Sequence, residues 1–125
     1  MRDPRSGEGR TARTGRAGED AALALYLRRG YRPVARNWRC RIGELDLIVA
    51  RGETLVFCEV KARRGTGFGG PFEAVDERKR RKLRSLAQAF LRGMLHEPAQ
   101  VRFDVASVLL DRSGRASVNV FEDAF

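Results

Sequence analysis

The sequence predicts an α/β fold: a central mixed β-sheet with a helix on each side, in the order α-β-β-β-α-β-β. Three observations point there. Two segments, 16–29 and about 76–95, carry apolar residues at helical spacing. Short runs rich in Val, Leu, Ile and Phe, bounded by Gly, Pro and Asp, lie between and after them. The 125 residues, 42% hydrophobic and 33% charged, are enough for one core and suit one domain.

Residues 1–14 place Arg2, Arg5, Arg10 and Arg13 among Gly, Ser and Thr without periodicity. A disordered basic tail is expected there, with a single domain over 15–125. "RAGEDAALALYLRR", 16–29, reads as the first helix, capped by Thr14 or Gly15 and stopped by Gly30. Glu19, Leu23 and Tyr26 fall at i, i+4 and i+7, so Glu19 shares the core-facing side near the positive end of the helix.

"YRPVARNWRC" reads as a strand after a turn at Gly30 and Pro33. Residues 43–50 and 55–62 read as two more strands, joined by a loop of Arg51, Gly52, Glu53 and Thr54. That loop sets a register in which Ala50 opposes Leu55, Ile48 Phe57, Asp46 Glu59 and Glu44 Lys61, all on one face. The other face holds Leu45, Leu47, Val49, Val56, Cys58 and Val60.

"RRGTGFGGPF" is a Gly-rich loop, either a plain connection or a mobile flap, and it lacks the GK[ST] ending of a Walker loop. In the second helix, about 76–95, Leu83, Leu86 or Ala87, Phe90 and Met94 make the buried stripe. Arg78, Lys79, Arg80, Arg81, Lys82 and Arg84 crowd its first half against the macrodipole, so something other than helix stability favours them. His96 is expected to cap the C-terminal end. Residues 101–110 and 116–121 are the last strands, and Asp104, between Phe103 and Val105, reads as a structural hydrogen-bonding acid.

Net charge is +9, which suggests a polyanionic partner, most often nucleic acid. No run reaches the roughly 20 apolar residues of a membrane span. The N-terminus has no hydrophobic signal core, so a cytoplasmic location is expected, with Cys40 and Cys58 as reduced thiols. The single histidine argues against His-metal and paired-His mechanisms, and no Ser-His-Asp arrangement is suggested. Basic residues number 22 Arg and 3 Lys, so a lysine marks a place where arginine would not serve. Trp38 and Phe68 are candidates for stacking on bases, although core packing or loop anchoring is the commoner use.

The central hairpin carries the chemistry. Asp46 and Glu59 on adjacent strands repel unless something positive lies between them. Mg²⁺ does this well, because it prefers oxygen ligands and often takes only one or two protein carboxylates. The Val60 carbonyl could add a ligand, Lys61 could serve a water or a phosphate, and Glu19 could supply an outer or second-metal ligand.

Asp46, twelve residues, then Glu59-Val60-Lys61 is similar to the PD-(D/E)xK nuclease signature, with Leu45 where the proline would stand. "GRAGEDAALALYL", "GELDLIVA", "LVFCEVKAR", "FGGPFEAV" with Lys79, "RFDV" and the closing "AF" resemble the bacterial YraN family over roughly residues 15–125. The resemblance implies a restriction-endonuclease-like fold and a Mg²⁺-dependent (or Mn²⁺-dependent) nuclease acting on nucleic acid, chiefly DNA. It makes Asp46 and Glu59 metal ligands and Lys61 the catalytic lysine, and Glu19 corresponds to the helix acid of resolvase-like relatives. Glu44 belongs to the family's "GE-D" pattern without an assigned role, with Lys61 across the hairpin as a candidate partner. Gln88 is a weaker match to a glutamine used by some relatives. Arg63, Arg64, Arg78, Lys79, Arg81 and Lys82 are expected to grip the phosphate backbone. Relatives that cut both strands are often dimers, so a homodimer is among the expected assemblies. The alternative is a non-catalytic nucleic-acid-binding module that retains the fold.

Overall fold

The computed structural model describes residues 5–65 and 75–125, with side chains from Arg13 onward. In chain order its elements are helix α1 (Arg5–Arg28), strands β1 (Arg32–Arg39), β2 (Glu44–Arg51) and β3 (Thr54–Arg64), helix α2 (Glu77–Arg92), and strands β4 (Gln100–Leu110) and β5 (Ala116–Phe121). This is the expected order, and it is consistent with a restriction-endonuclease-like fold. The strands form one mixed sheet in the order β1-β2-β3-β4-β5. Neighbours are antiparallel except β3 and β4, which run parallel with α2 as their crossover. No helix of the described residues is long and apolar enough to cross a membrane.

Alternation along the central strands produces two cores. Leu47, Val49, Val56, Cys58, Ala106 and Val108 face α1 and close around Ala22 and Tyr26. Ile48, Ala50, Leu55, Phe57 and Val105 face α2 and meet Leu83, Leu86 and Ala87. β2 and β3 are therefore covered on both sides, which is why they read as nearly continuous apolar runs. The expected register holds from Arg51–Thr54 to Leu47–Cys58, with Ala50 opposite Leu55 and Ile48 opposite Phe57, and it stops before the expected Asp46–Glu59 and Glu44–Lys61 pairs. The strands extend to Arg51 and Thr54, leaving Gly52 and Glu53 as the turn, and Gly52 takes φ 57°, a value that favours glycine.

Several boundaries differ from the sequence reading. α1 starts at Arg5 rather than at residue 16, and Thr14 and Gly15 lie inside it instead of capping it. No proline interrupts 5–28, and a helix nucleated by its packed face gains a hydrogen bond for each residue added. The Thr14 hydroxyl accepts a 2.7 Å hydrogen bond from Arg64 Nε. α2 ends at Arg92 with Gly93 as its C-cap, so Leu95 lies outside it, fully exposed. His96 is not a cap; its Nε2 lies 3.1 Å from Glu53 Oε2. Trp38 packs edge-on against Phe90, with ring centroids 5.4 Å apart, so it is core and not a base platform. The Gly-rich loop over 66–74, with Phe68, lies outside the described residues.

Asp104 is fully buried and fully partnered. It accepts from Tyr26 Oη at 2.7 Å, from Arg102 Nε and Nη2 at 2.8 and 2.9 Å, and from the Asp123 N–H at 3.0 Å. This is the structural acid the sequence suggested. It ties α1 to β4 and to the C-terminal segment.

Gly18 sets how closely α1 approaches the sheet. A Cβ there would stand 2.5 Å from Ala62 Cβ, so only glycine allows the contact. That approach brings the neighbouring Glu19 to the end of β2 and β3. Gly18→Ala gains about 1 kcal/mol of helix propensity but overpacks this contact, so a net loss of roughly 1–3 kcal/mol is expected in urea denaturation. A stabilised variant would show that the close approach is not a constraint.

Candidate functional site

The site begins where the hairpin stops. Backbone pairing of β2 with β3 runs from Arg51–Thr54 to Leu47–Cys58. Continued, that register would join Asp46 to Glu59 and then Leu45 to Val60, whose N–H would meet the Leu45 carbonyl. Instead the Val60 N–H donates to Asp46 Oδ2 at 2.9 Å. A side-chain carboxylate has replaced a ladder carbonyl, and it stands between the strands.

Side-chain alternation breaks at the same place. Leu45 packs in the α2-side core with Ile48 and Ala50, although strict alternation puts it with Leu47 and Val49. Glu44 accepts from Asn37 Nδ2 at 2.9 Å, and the same nitrogen donates to Glu19 Oε2 at 3.0 Å on α1. Glu44 and Leu45 have therefore exchanged faces relative to the sequence reading. Asn37 in the neighbouring strand changes with them. Its φ is 50°, a left-handed value that asparagine tolerates, and it separates Arg36 on the α1 side from Trp38 on the α2 side.

Asp46 and Glu59 meet at this break. Burial raises the Asp46 pKa most, followed by the charge of Glu59; the Val60 N–H pulls it down, and Glu19 and Glu44 add smaller upward contributions. The result is a carboxyl pushed up to about 7. Glu59, on the α2 side, has an ammonium partner: Lys79 Nζ lies 2.9 Å from its Oε1. Burial works against that ammonium, but the bond to and charge of Glu59, a hydrogen bond with Lys61 and the charge of Asp46 outweigh it, and the Lys79 pKa is raised.

Glu19 is nearly buried and is held by Asn37 and by Arg36 Nη2 at 3.4 Å. Glu44 pairs with Arg39 at 3.4 Å as well as with Asn37, and not with Lys61 as the sequence suggested. Lys61 lies two residues beyond Glu59 on β3, partly buried and opposite Ser107. Arg78, Arg81 and Lys82 are exposed on the first turns of α2, as is Arg64 at the end of β3; Arg63 is half-buried. Gln88 is exposed on α2, and no bond to Asp46 or Glu59 involves it.

The donor set suits a hard cation. Among the described residues no three His, Cys, Asp or Glu side chains gather as a metal cluster. Mg²⁺ does not require one, since one or two carboxylates with water and substrate oxygens suffice. Asp46 and Glu59 supply the carboxylates. The N–H and C=O of a strand residue point to the same edge, so the Val60 carbonyl faces the gap that Asp46 fills. Asp46 is raised first by burial and then by the charge of Glu59, and a cation between the two would relieve both.

Comparison with known proteins places the chain. The profile described as "Uncharacterised protein family UPF0102" matches residues 18–108. The chain belongs to the UPF0102 family. This is the YraN family that its motifs resemble. The UPF0102 protein of Parafrankia sp. (strain EAN1pec) is 46% identical over 90% of this chain and 96% of its own length. That of Moorella thermoacetica is 47% identical over 90% and 95%. That of Rhodococcus jostii is 44% identical over 89% and 94%. The UPF0102 match takes in Glu19, Asn37, Asp46, Glu59, Lys61 and Lys79.

Sequence reasoning missed Asn37 and Arg36, and it read Lys79 only as a phosphate contact. An asparagine within a strand pattern was the available signal for the first. A pH dependence follows from Asp46. Its folded pKa lies above the ordinary 3.8, so in chelator its contribution to stability is full below that value and is lost as pH rises through about 7. Relative to Asp46→Asn, the wild type should lose on the order of 2–4 kcal/mol between pH 4 and 8. Denaturation series across that range measure it, and a flat difference contradicts the burial and crowding described.

Proposed function

We propose that this domain is a Mg²⁺-dependent or Mn²⁺-dependent phosphodiesterase acting on nucleic acid, with DNA as the first substrate to test. One observation carries the reading: Asp46 and Glu59 are crowded together at the break in a hairpin, where Asp46 is raised to about 7. A structural ion-pair cluster does not require such crowding, and buried pairs are poor stabilisers in any case.

In this reading Asp46, Glu59 and the Val60 carbonyl would hold the metal ion, which would polarise the phosphate and lower the pKa of a water. Lys61 shares the strand face of Glu59. It orients the attacking water and stabilises charge developing on the phosphate. Glu19 adds negative charge from α1 while Arg36 and Asn37 fix its position. In this reading Arg78, Arg81 and Lys82, exposed on α2, and Arg63 and Arg64 at the end of β3 contact backbone phosphates. The net charge of +9 supports a polyanionic substrate.

A second reading rests on the ammonium already bound to Glu59 and on a carboxylate set of two. In it the domain binds nucleic acid without cutting it. Incubation with branched, single-stranded and duplex DNA plus Mg²⁺ or Mn²⁺ separates the two. The nuclease reading expects cleavage that falls by at least about a hundredfold in Asp46→Ala and in Lys61→Ala. Binding in the absence of cleavage on every substrate, or equal cleavage by Asp46→Ala, supports the binding module. In either reading, removing Arg78, Arg81 and Lys82 together should reduce the slope of log affinity against log salt by about one for each phosphate no longer neutralised.

A further inference from the structure

The chain uses arginine for 22 of its 25 basic residues, yet Lys79 meets both Glu59 and Lys61, and Lys82 lies over the start of β2. Lys61 follows Glu59 by two positions on β3. Lys79 Nζ lies 2.9 Å from Glu59 Oε1. Lys82 covers Gly43, beside Glu44: its Cε and Nζ would stand 3.0 and 3.4 Å from a Cβ placed there. In a chain that otherwise favours arginine so strongly, the cluster calls for a property that arginine lacks.

Lys79 shows what that property is. An arginine facing Glu59 would engage both carboxylate oxygens with a rigid fork. A lysine is a compact point charge on a flexible stem, and Lys79 bonds to one oxygen, Oε1. Glu59 is nearly buried, with its side chain 11% exposed, whereas Lys79 is 42% exposed. The ammonium can therefore leave Glu59 for solvent or a phosphate oxygen without opening the fold. The carboxylate it leaves behind is too buried to remain unpaired and needs another cation.

We propose that Lys79 is an exchangeable counter-cation and phosphate-positioning residue. It neutralises Glu59 in the metal-free protein, yields that carboxylate when a divalent cation is held, and then meets the substrate phosphate. The proposal rests on the reading of Asp46 and Glu59 as a cation site. It goes further by making metal affinity and phosphate affinity depend on the same ammonium.

Three lysines make the wild type directly observable. In protein labelled at lysine ¹³Cε, adding Mg²⁺ should shift the Lys79 signal, assigned from Lys79→Gln, while the protein stays folded. Mn²⁺ titration calorimetry should give about three- to tenfold tighter binding for Lys79→Met and weaker binding for Lys79→Arg. Duplex DNA binding by Lys79→Met should fall about three- to tenfold with Ca²⁺ present and stay unchanged in chelator. An unmoved Lys79 signal, or a Lys79→Met variant that binds Mn²⁺ no tighter than wild type, overturns the proposal. So does a loss of DNA affinity equal with and without Ca²⁺, which would make Lys79 a constant phosphate contact. Asp46→Ala separates the two levels. If it leaves Mn²⁺ binding intact, the cation-site reading fails and takes this proposal with it. If it abolishes binding while Lys79→Met changes nothing, the proposal alone fails.

Discussion

The hydrogen bond from the Val60 N–H to Asp46 Oδ2 is the point on which this end of the molecule turns. Up to Leu47 and Cys58 the hairpin is ordinary, with backbone paired to backbone and apolar side chains on both faces. Beyond them a carboxylate takes the ladder position. The strand no longer needs its neighbour's carbonyl, so β2 can reverse its faces while β1 reverses beside it at Asn37. The exchange puts Leu45 into the α2 core and sends Glu44 toward α1. A regular ladder would have left Asp46 on a sheet face, apart from the backbone of β3.

Charge is arranged around that break in two sets. On the α1 side, Glu19 and Glu44 share Asn37 and are answered by Arg36 and Arg39. On the α2 side, Glu59 has Lys79, while Asp46 has a backbone N–H and, among the described residues, no full positive charge bonded to it. The contrast with Asp104 is informative. That acid is also buried, yet a bidentate arginine, a tyrosine hydroxyl and a backbone N–H satisfy it completely. The fold can fully compensate a buried carboxylate, and it does not do so at Asp46.

Much of this was legible in the sequence because it depends on periodicity. The two helices and the hairpin register as far as Leu47 and Cys58 follow from spacings of 3.6 and 2. What was not legible departs from those spacings. The face reversal at Asn37 and Asp46 cannot be read by a rule that assumes an unbroken ladder. The start of α1 was missed because Gly and Arg repeats look structureless, although nothing in 5–15 forbids a helix packed further along. The end of α2 was set by Gly93 rather than by the apolar stripe that reaches Met94. Lys79 was visible as one cation among six, but its partner Glu59 lies twenty residues away and only the fold brings them together. Glu44 had no role in the sequence; its bonds to Asn37 and Arg39 now give it a structural one.

In the proposed reading Asp46 and Glu59 are held together for a shared cation. A crystal soaked in Mn²⁺, with anomalous difference density recorded above the manganese edge, tests it most directly. A single strong peak is expected, bounded by the Asp46 and Glu59 carboxylates and the Val60 carbonyl, with Lys79 withdrawn from Glu59. Density elsewhere, or no peak with Lys79 still on Glu59 at saturating Mn²⁺, would contradict it.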